Sequence, residues 1–164
     1  METKLDIENR FTLAAAGPAL LLPLDVEIIK DLWSKTYNTL GKPDWSHLFP
    51  YYHPDIVFQD SIQRIEGIAE FARMCERLAQ RCESLQMEIQ SIAQDANFIL
   101  MDWIMTMAFT KYPPTPLYGS TKLTLHEDGR IIAQRDYLDL WGAILDGIPL
   151  LHRRYRRFMH KVFG

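Results

Sequence analysis

The sequence predicts an α+β domain in which helices cover one face of an antiparallel β sheet. In the first half of the chain apolar residues recur at three- and four-residue steps, whereas after Leu85 the period changes to two. The strand predicted over residues 98–109 is apolar on both faces apart from Asp102 and Thr106. Such a strand indicates a sheet that curls around an apolar cavity or pairs with another subunit, although its Met and Trp side chains could equally fill an ordinary core.

Length and composition fit one compact domain with a sizeable core. The 164 residues are 48% hydrophobic and 24% charged, as is typical of globular proteins. The net charge of −3 argues against a nucleic-acid partner. We predict three regions: an N-terminal arm over residues 1–24, the α+β domain over residues 25–147, and a basic amphipathic helix over residues 148–164.

The apolar part of the N-terminal arm does not predict a membrane span. Residues 11–24 read FTLAAAGPALLLPL, but Gly17, Pro18 and Pro23 interrupt this run, and the residues before it mix acids with bases. The run is also too short to cross a bilayer. We therefore expect an arm that lies on the domain or is partly disordered.

The two cysteines predict neither a disulfide nor a metal site. Cys75 and Cys82 lie seven residues apart on one predicted helix, roughly 10 Å along its axis, which is too far for an unstrained disulfide. Neither has the spacing of a metal or redox motif, and we find no phosphate-binding loop. We therefore expect a cytoplasmic protein with reduced thiols, no metal and no cofactor.

Three helices are predicted in the first half of the chain. The first begins at Asp25, a residue that favours the N-cap position, and stops at Gly41. A short second helix is predicted over residues 44–52, before Pro54. The third covers residues 67–82, where apolar residues form one stripe.

The strands are predicted from alternation and from turn residues. A hairpin over residues 55–67 comes first, and a four-stranded antiparallel meander follows the third helix. The proline-rich KYPPTP, residues 111–116, is predicted to be a loop, and Asp128 and Gly129 to take positive φ in the last hairpin. The meander strands are predicted over residues 85–93, 98–110, 118–126 and 130–141.

Three stretches of the chain resemble the nuclear transport factor 2-like superfamily, which includes ketosteroid isomerases, limonene epoxide hydrolases and SnoaL-like polyketide cyclases. They are LFPYYHPDIVFQD (48–60), RIEGIAEF (64–71) and EDGRIIAQRDYLDLWG (127–142). The resemblance covers about residues 25–141. It implies a cone-shaped, curved antiparallel sheet packed on three helices, here with a C-terminal amphipathic helix added, that encloses one deep apolar pocket. It also implies a homodimer and a small hydrophobic ligand.

The resemblance implies two catalytic acids. Asp60 matches the general base of the isomerases, and Asp136 matches the inward carboxylate of the hydrolases and the acid/base aspartate of the cyclases. Strand alternation agrees, because Asp136 then shares one face with Gln134 and Leu138. The substrate-binding residues expected around them are Tyr37, Phe58, Trp103, Met105, Met107, Thr121, Gln134 and Leu138.

The chain also departs from each subfamily. Where the hydrolases carry an arginine and a second aspartate, this sequence has Trp103 and Met105. Where the isomerases hold the enolate oxygen with a protonated aspartate and a tyrosine, it has Thr121, and Tyr37 lies about one residue out of register. Epoxide hydrolysis and steroid isomerisation would each lack part of their usual site.

An acid in an apolar pocket has a raised pKa, which suits a general base or acid near neutral pH. If Asp60 and Asp136 face each other, they would share one proton. We expect a cofactor-free acid/base enzyme acting on a small hydrophobic carbonyl compound, steroid-, terpenoid- or polyketide-like, as an isomerase or an aldol-type cyclase. Water addition of the epoxide hydrolase kind and a noncatalytic ligand-binding or dimerisation module are the alternatives, and Asp60 could simply close the hairpin.

The C-terminal segment predicts an amphipathic helix with one strongly basic face. This helix would suit peripheral contact with an anionic membrane, or it would pack its apolar stripe on its own domain or on a dimer mate. The stripe consists of Ile148, Leu151, Tyr155, Phe158 and Val162, and the flank of Arg153, Arg154, Arg156, Arg157 and Lys161.

Overall fold

The computed structural model describes residues 23–37, 41–109, 112–140 and 150–164. These residues form three α helices and six strands, and they confirm the predicted α+β fold. In chain order the elements are α1 (Val26–Thr36), β1 (Tyr52–Gln59), β2 (Arg64–Glu66), α2 (Ile68–Arg81), β3 (Cys82–Asp95), β4 (Phe98–Phe109), β5 (Tyr112–Leu125), β6 (Ile131–Leu138) and α3 (Leu151–Phe163). The predicted arm up to residue 22 and the predicted strand ends at Thr110 and Trp141 lie outside the described residues.

All six strands join one open sheet in the order β2-β1-β6-β5-β4-β3. Strands β3 to β6 form the predicted antiparallel meander. The sheet is nevertheless mixed rather than wholly antiparallel, because β1 runs parallel to β6. Helix α2 and four strands separate this pair along the chain, so no tight turn requires an antiparallel pairing.

Helices α1 and α2 form where the periodicity predicts them. Asp25 caps α1, since its Oδ1 accepts a hydrogen bond from the Ile28 N–H at 2.8 Å. Helix α1 ends at Thr36, before the predicted stop at Gly41, and residues 38–40 lie outside the described part. Helix α2 buries Phe71, Ala72 and Cys75.

The second helix predicted over residues 44–52 is wrong. The structure has a turn followed by one short 3₁₀ helix, Phe49–Tyr51, and β1 already begins at Tyr52. Pro54 lies inside β1, where the pairing with β6 shifts register between Tyr52 and Val57. A proline fits there because the interrupted ladder needs no N–H from it.

The loop predicted for KYPPTP is also wrong in part. Strand β5 begins at Tyr112, opposite Phe109, and Pro116 pairs with Thr106 of β4. Strand β6 pairs with β5 only from Gly119 onward, so the prolines lie in a stretch with one unpaired edge. Proline is tolerated at such an edge because its missing N–H breaks no ladder.

The β5–β6 turn follows the hairpin prediction with one correction. Gly129 takes positive φ, at 84°, but Asp128 does not. Its carboxylate instead accepts from the Arg130 backbone N–H at 3.0 Å and pairs with the Arg130 guanidinium.

The core lies between the inner face of the sheet and helices α1 and α2. On β4 the buried residues Ile99, Met101 and Trp103 face inward, whereas Leu100 and Asp102 on the opposite face are exposed. Register shifts in β3 and at the β4–β5 pair mark bulges, which bend strands. The inner face therefore has room for both a core and a cavity.

Helix α3 exposes much of its apolar face. Leu151, Phe158, Val162 and Phe163 are exposed, whereas Tyr155 is half-buried. No helix among the described residues is long and apolar enough to cross a membrane. What the exposed face of α3 contacts stays a prediction.

Candidate active site

A cavity of about 430 Å³ lies between the inner face of the sheet and helices α1 and α2. This volume is within the range of small-molecule sites. Apolar and aromatic side chains make up most of the wall, including three tryptophans, Trp33, Trp45 and Trp103.

Every site residue predicted from the sequence lines this cavity. The two acids, Asp60 and Asp136, lie on its wall together with the eight predicted substrate-binding residues, Tyr37, Phe58, Trp103, Met105, Met107, Thr121, Gln134 and Leu138. The structure therefore brings the predicted residues together, while their catalytic and binding roles stay predictions.

The register of the sheet explains why these side chains meet. Thr121 of β5 lies directly opposite Asp136 of β6, so both side chains stand on the inner face. Phe58 of β1 pairs with Gln134 on the other side of β6. Since Gln134 is two residues from Asp136, it shares the same face.

A chain of hydrogen bonds runs from Trp103 to Asp136. The Trp103 indole N–H donates to Thr121 Oγ1 at 2.9 Å, and the Thr121 hydroxyl donates to Asp136 Oδ1 at 2.7 Å. An indole nitrogen can only donate, which leaves the threonine proton for the carboxylate. Thr121 is therefore engaged with Asp136 and is a poor candidate for binding a substrate oxygen.

A second chain reaches the same carboxylate from β1. The buried Tyr52 hydroxyl donates to Gln134 Oε1 at 2.6 Å, which turns the amide nitrogen toward Asp136. Gln134 Nε2 then donates to Asp136 Oδ1 at 3.1 Å and to Oδ2 at 3.3 Å. Asp136 is thus held in one orientation by two hydrogen-bond chains whose members come from four strands.

The pKa of Asp136 is raised to about 6. Burial is the main cause, because a low-polarity environment disfavours the charged carboxylate. The bonds from Thr121 and Gln134 lower the pKa in part, and the charge of Asp60 raises it slightly. Since Oδ1 already accepts the two shorter bonds, we infer that Oδ2 is the atom that takes up and releases the proton.

Asp60 does close the hairpin, as one of the two sequence interpretations held. Its Oδ1 accepts from the backbone N–H groups of Ile62 and Gln63, each at 2.7 Å. Asp60 also lines the cavity, but among the described residues no hydrogen bond joins its carboxyl group to that of Asp136. A single proton shared directly between the two acids is therefore not what this geometry favours.

Tyr37 offers a hydroxyl group to the cavity. Its oxygen accepts a hydrogen bond from the Trp45 indole N–H at 3.3 Å, and the two rings meet edge to face at 5.8 Å. Burial raises the pKa of Tyr37 well above its usual value, so the phenol stays protonated at neutral pH. Its proton has no acceptor among the described residues.

Sequence reasoning missed several residues of the wall. Tyr52 was assigned to a helix, and its partner Gln134 is 82 positions away in the sequence, so no local pattern predicts their bond. Arg77 and Arg81 line the cavity from α2, although they lie beside its apolar stripe. Cys75 lines it as well. Burial raises the pKa of this free thiol to about 12, which leaves it uncharged and a weak nucleophile.

Three side chains of types that can bind a metal ion lie close together among the described residues. His53, His126 and Asp128 bring one potential ligand atom each within 4.8 Å of the others. None of them lines the cavity described above. The Asp128 carboxylate already pairs with Arg130, and this pairing holds its pKa well below the usual range.

Several solved structures are similar to this fold. An LEH-like epoxide hydrolase from M. tuberculosis has a TM-score of 0.59 at 19% identity, covering 80% of this chain and 94% of that one. A candidate SnoaL-like polyketide cyclase from Shewanella denitrificans has a TM-score of 0.57 at 19% identity, covering 68% and 90%. A protein with a ketosteroid isomerase-like fold from Catenulispora acidiphila, in complex with trimethylamine, has a TM-score of 0.57 at 14% identity, covering 70% and 86%.

At these identities the likeness shows the fold alone. The comparison with curated proteins gives no match. The family model of the SnoaL-like domain, however, matches residues 33–134, which is more than half of the chain. The matched region extends from α1 into β6 and ends two residues before Asp136. The chain therefore belongs to the SnoaL-like domain family.

Proposed function

We propose that this protein is a cofactor-free acid/base enzyme that moves a proton on a small hydrophobic carbonyl compound. The observation that carries the proposal is Asp136, a carboxyl group with a pKa of about 6, held on the wall of an apolar cavity by Thr121 and Gln134. A general base works best when its pKa lies near the operating pH. The fold, which isomerases and polyketide cyclases also use, agrees with this chemistry.

The reaction would begin at Asp136 Oδ2. This oxygen takes the proton from the carbon next to the substrate carbonyl, and the electrons of the C–H bond move into the enolate. The Tyr37 hydroxyl, oriented by Trp45, donates a hydrogen bond to the carbonyl oxygen, where negative charge develops. Tyr37 thus takes the role of the isomerase tyrosine, from whose position it lies about one residue out of register, while Thr121 is engaged with Asp136.

Two outcomes follow from this intermediate. In an isomerase, Asp136 returns its proton to a different carbon and shifts the double bond. In an aldol-type cyclase, the enolate carbon attacks a second carbonyl of the same molecule, and the proton ends on the new alkoxide. Both sequences balance without an oxidant, a reductant or a second substrate.

Water addition of the epoxide hydrolase kind has less support. Trp103 and Met105 stand where those enzymes carry an arginine and an aspartate, and the Trp103 N–H is engaged with Thr121. A noncatalytic ligand-binding module of the same fold is the second candidate. It is favoured only if bound ligands do not react.

Proton exchange in deuterated water tests the proposal. Cyclic ketones of terpenoid and steroid type would be incubated with the protein, and loss of the signal from protons next to the carbonyl would be followed by proton NMR. We expect exchange with the wild type and a loss of about 10²- to 10⁴-fold with Asp136→Asn. Asp60→Asn serves as the matched control and should keep most activity. Ligands that bind without any exchange would exclude the enzyme and favour the binding module.

A further inference from the structure

Two arginines line the cavity at the C-terminal end of α2. Arg77 and Arg81 are one helical turn apart, both are exposed, and both belong to the cavity wall. Along the same helix the wall begins at the buried Phe71 and Cys75. The lining therefore changes from apolar to cationic along α2 and toward solvent.

These two guanidinium groups differ in their partners from Arg73 and Arg64. Arg73 of the same helix pairs with Glu70, and Arg64 pairs with Glu66. Neither Arg77 nor Arg81 has a carboxylate partner among the described residues. Two cations with no carboxylate partner in the described part of the chain, beside one apolar cavity, have the chemistry that binds an anion.

We propose that the natural ligand is an apolar molecule with one anionic group, such as a keto acid, whose carboxylate binds Arg77 and Arg81 at the mouth of the cavity. The apolar body fills the interior and brings the carbonyl to Asp136. That this ligand is a substrate rests on the proposed function, whereas the binding of an anion can be measured without turnover.

The rise of helix α2 gives an approximate length for this ligand. Cys75 and Asp136 both line the cavity. Arg81 lies six residues further along α2, which corresponds to about 9 Å of rise. The anionic group should therefore be separated from the reacting carbon by an extended apolar segment of several bonds, so short keto acids should bind poorly.

Tryptophan fluorescence provides the binding assay, because Trp33, Trp45 and Trp103 line the cavity. The full chain would be titrated with decanoate, with its neutral methyl ester, and with decyltrimethylammonium. We expect the wild type to bind decanoate roughly tenfold more tightly than the ester, a preference that weakens with added salt. Equal affinities for acid and ester, or no binding by either, would overturn the proposal.

Charge variants test which residues cause the preference. The double variant that carries Arg77→Gln and Arg81→Gln should bind decanoate and its methyl ester with equal affinity. Its affinity for the ester should equal that of the wild type. Arg77→Glu with Arg81→Glu should prefer the ammonium compound. Arg73→Gln is the matched control, since Arg73 lies on the same helix outside the cavity wall, and it should behave as the wild type. If the double Gln variant keeps the preference for decanoate, the assignment is wrong.

Failure of this proposal can be told apart from failure of the proposed function. A preference for decanoate without proton exchange on any ketone or keto acid would keep the anion site and exclude the enzyme. Proton exchange on neutral ketones without any preference for acids would keep the proposed enzyme and exclude the anion site.

Discussion

The indole ring of Trp103 lies over Gly119, its direct partner across the β4–β5 pair. A Cβ atom at residue 119 would come within 2.9 Å of three carbon atoms of the ring, so only glycine leaves space for it. In this position the indole N–H reaches Thr121, which in turn holds Asp136. Because Gly119 of β5 has no side chain, the Trp103 ring can take the position that helps to orient Asp136, the proposed base, on β6.

Gly119→Ala should therefore displace the Trp103 ring and destabilise the protein. We expect a loss of about 1–3 kcal/mol in the free energy of unfolding, as is typical of overpacking, measured by urea denaturation. Trp103→Phe provides the control background, because its smaller ring relieves the clash. If Gly119→Ala costs as much beside Phe as beside Trp, the ring contact is not the cause.

The pKa of Asp136 predicts an unusual dependence of stability on pH. The carboxyl group has its ordinary pKa of 3.8 in the unfolded chain and about 6 in the fold, so the native state binds its proton more tightly. Its contribution is therefore fully present below about pH 4 and is lost as the pH rises through 6. The size of the loss is about 3 kcal/mol.

Asp136→Asn isolates this contribution, because its amide oxygen can still accept from Thr121 and Gln134. We expect the variant to be more stable than the wild type at pH 8 and to lose that advantage on acidification toward pH 4. Urea denaturation of both proteins across this range gives the difference. Parallel stability curves would mean that Asp136 has an ordinary pKa.

Asp60 should act through its turn more than through its charge. Asp60→Asn keeps an oxygen for the N–H groups of Ile62 and Gln63, whereas Asp60→Ala removes both bonds. We expect the Asn variant to unfold near the wild type and the Ala variant to lose about 1–3 kcal/mol in urea denaturation. If both variants lose the same free energy of unfolding, the negative charge of Asp60 stabilises the fold rather than its hydrogen bonds in the turn.

The exposed face of α3 should bind anionic membranes. This helix contains five of the chain's 18 Lys and Arg residues and none of the chain's 21 Asp and Glu residues. The apolar side chains of Phe158 and Val162 are exposed on the same helix. We expect co-sedimentation with vesicles that contain phosphatidylserine, weakened by salt and by Phe158→Ser. Unchanged binding after deletion of residues 150–164 would leave packing on a second copy of the chain as the better explanation.

The sequence predicted much of the fold because its periodic segments are long. The stripe of α2 and the alternation of β4 each extend over several turns or residue pairs, and the parity of β6 correctly put Gln134, Asp136 and Leu138 on one face. The structure departs from prediction where the signal was local and ambiguous. Residues 44–52 are apolar at helical spacing, but their side chains cover the core from a turn and the start of β1.

The hydrogen bonds of the site could not be predicted in the same way. The bond between Tyr52 and Gln134 requires the parallel pairing of β1 with β6, which depends on tertiary packing rather than on any hairpin. Arg77 and Arg81 read as ordinary solvent-facing charges, because only the position of α2 over the sheet turns them toward the cavity.

The central claim is that the fold keeps one proton on Asp136 until the pH nears neutrality, and NMR of the aspartate carboxyl carbons tests it most directly. The wild type should show one carboxyl signal that titrates near pH 6, and Asp136→Asn should lack that signal. If every aspartate of the wild type titrates below about pH 4.5, within the ordinary range, Asp136 is not a buried proton carrier.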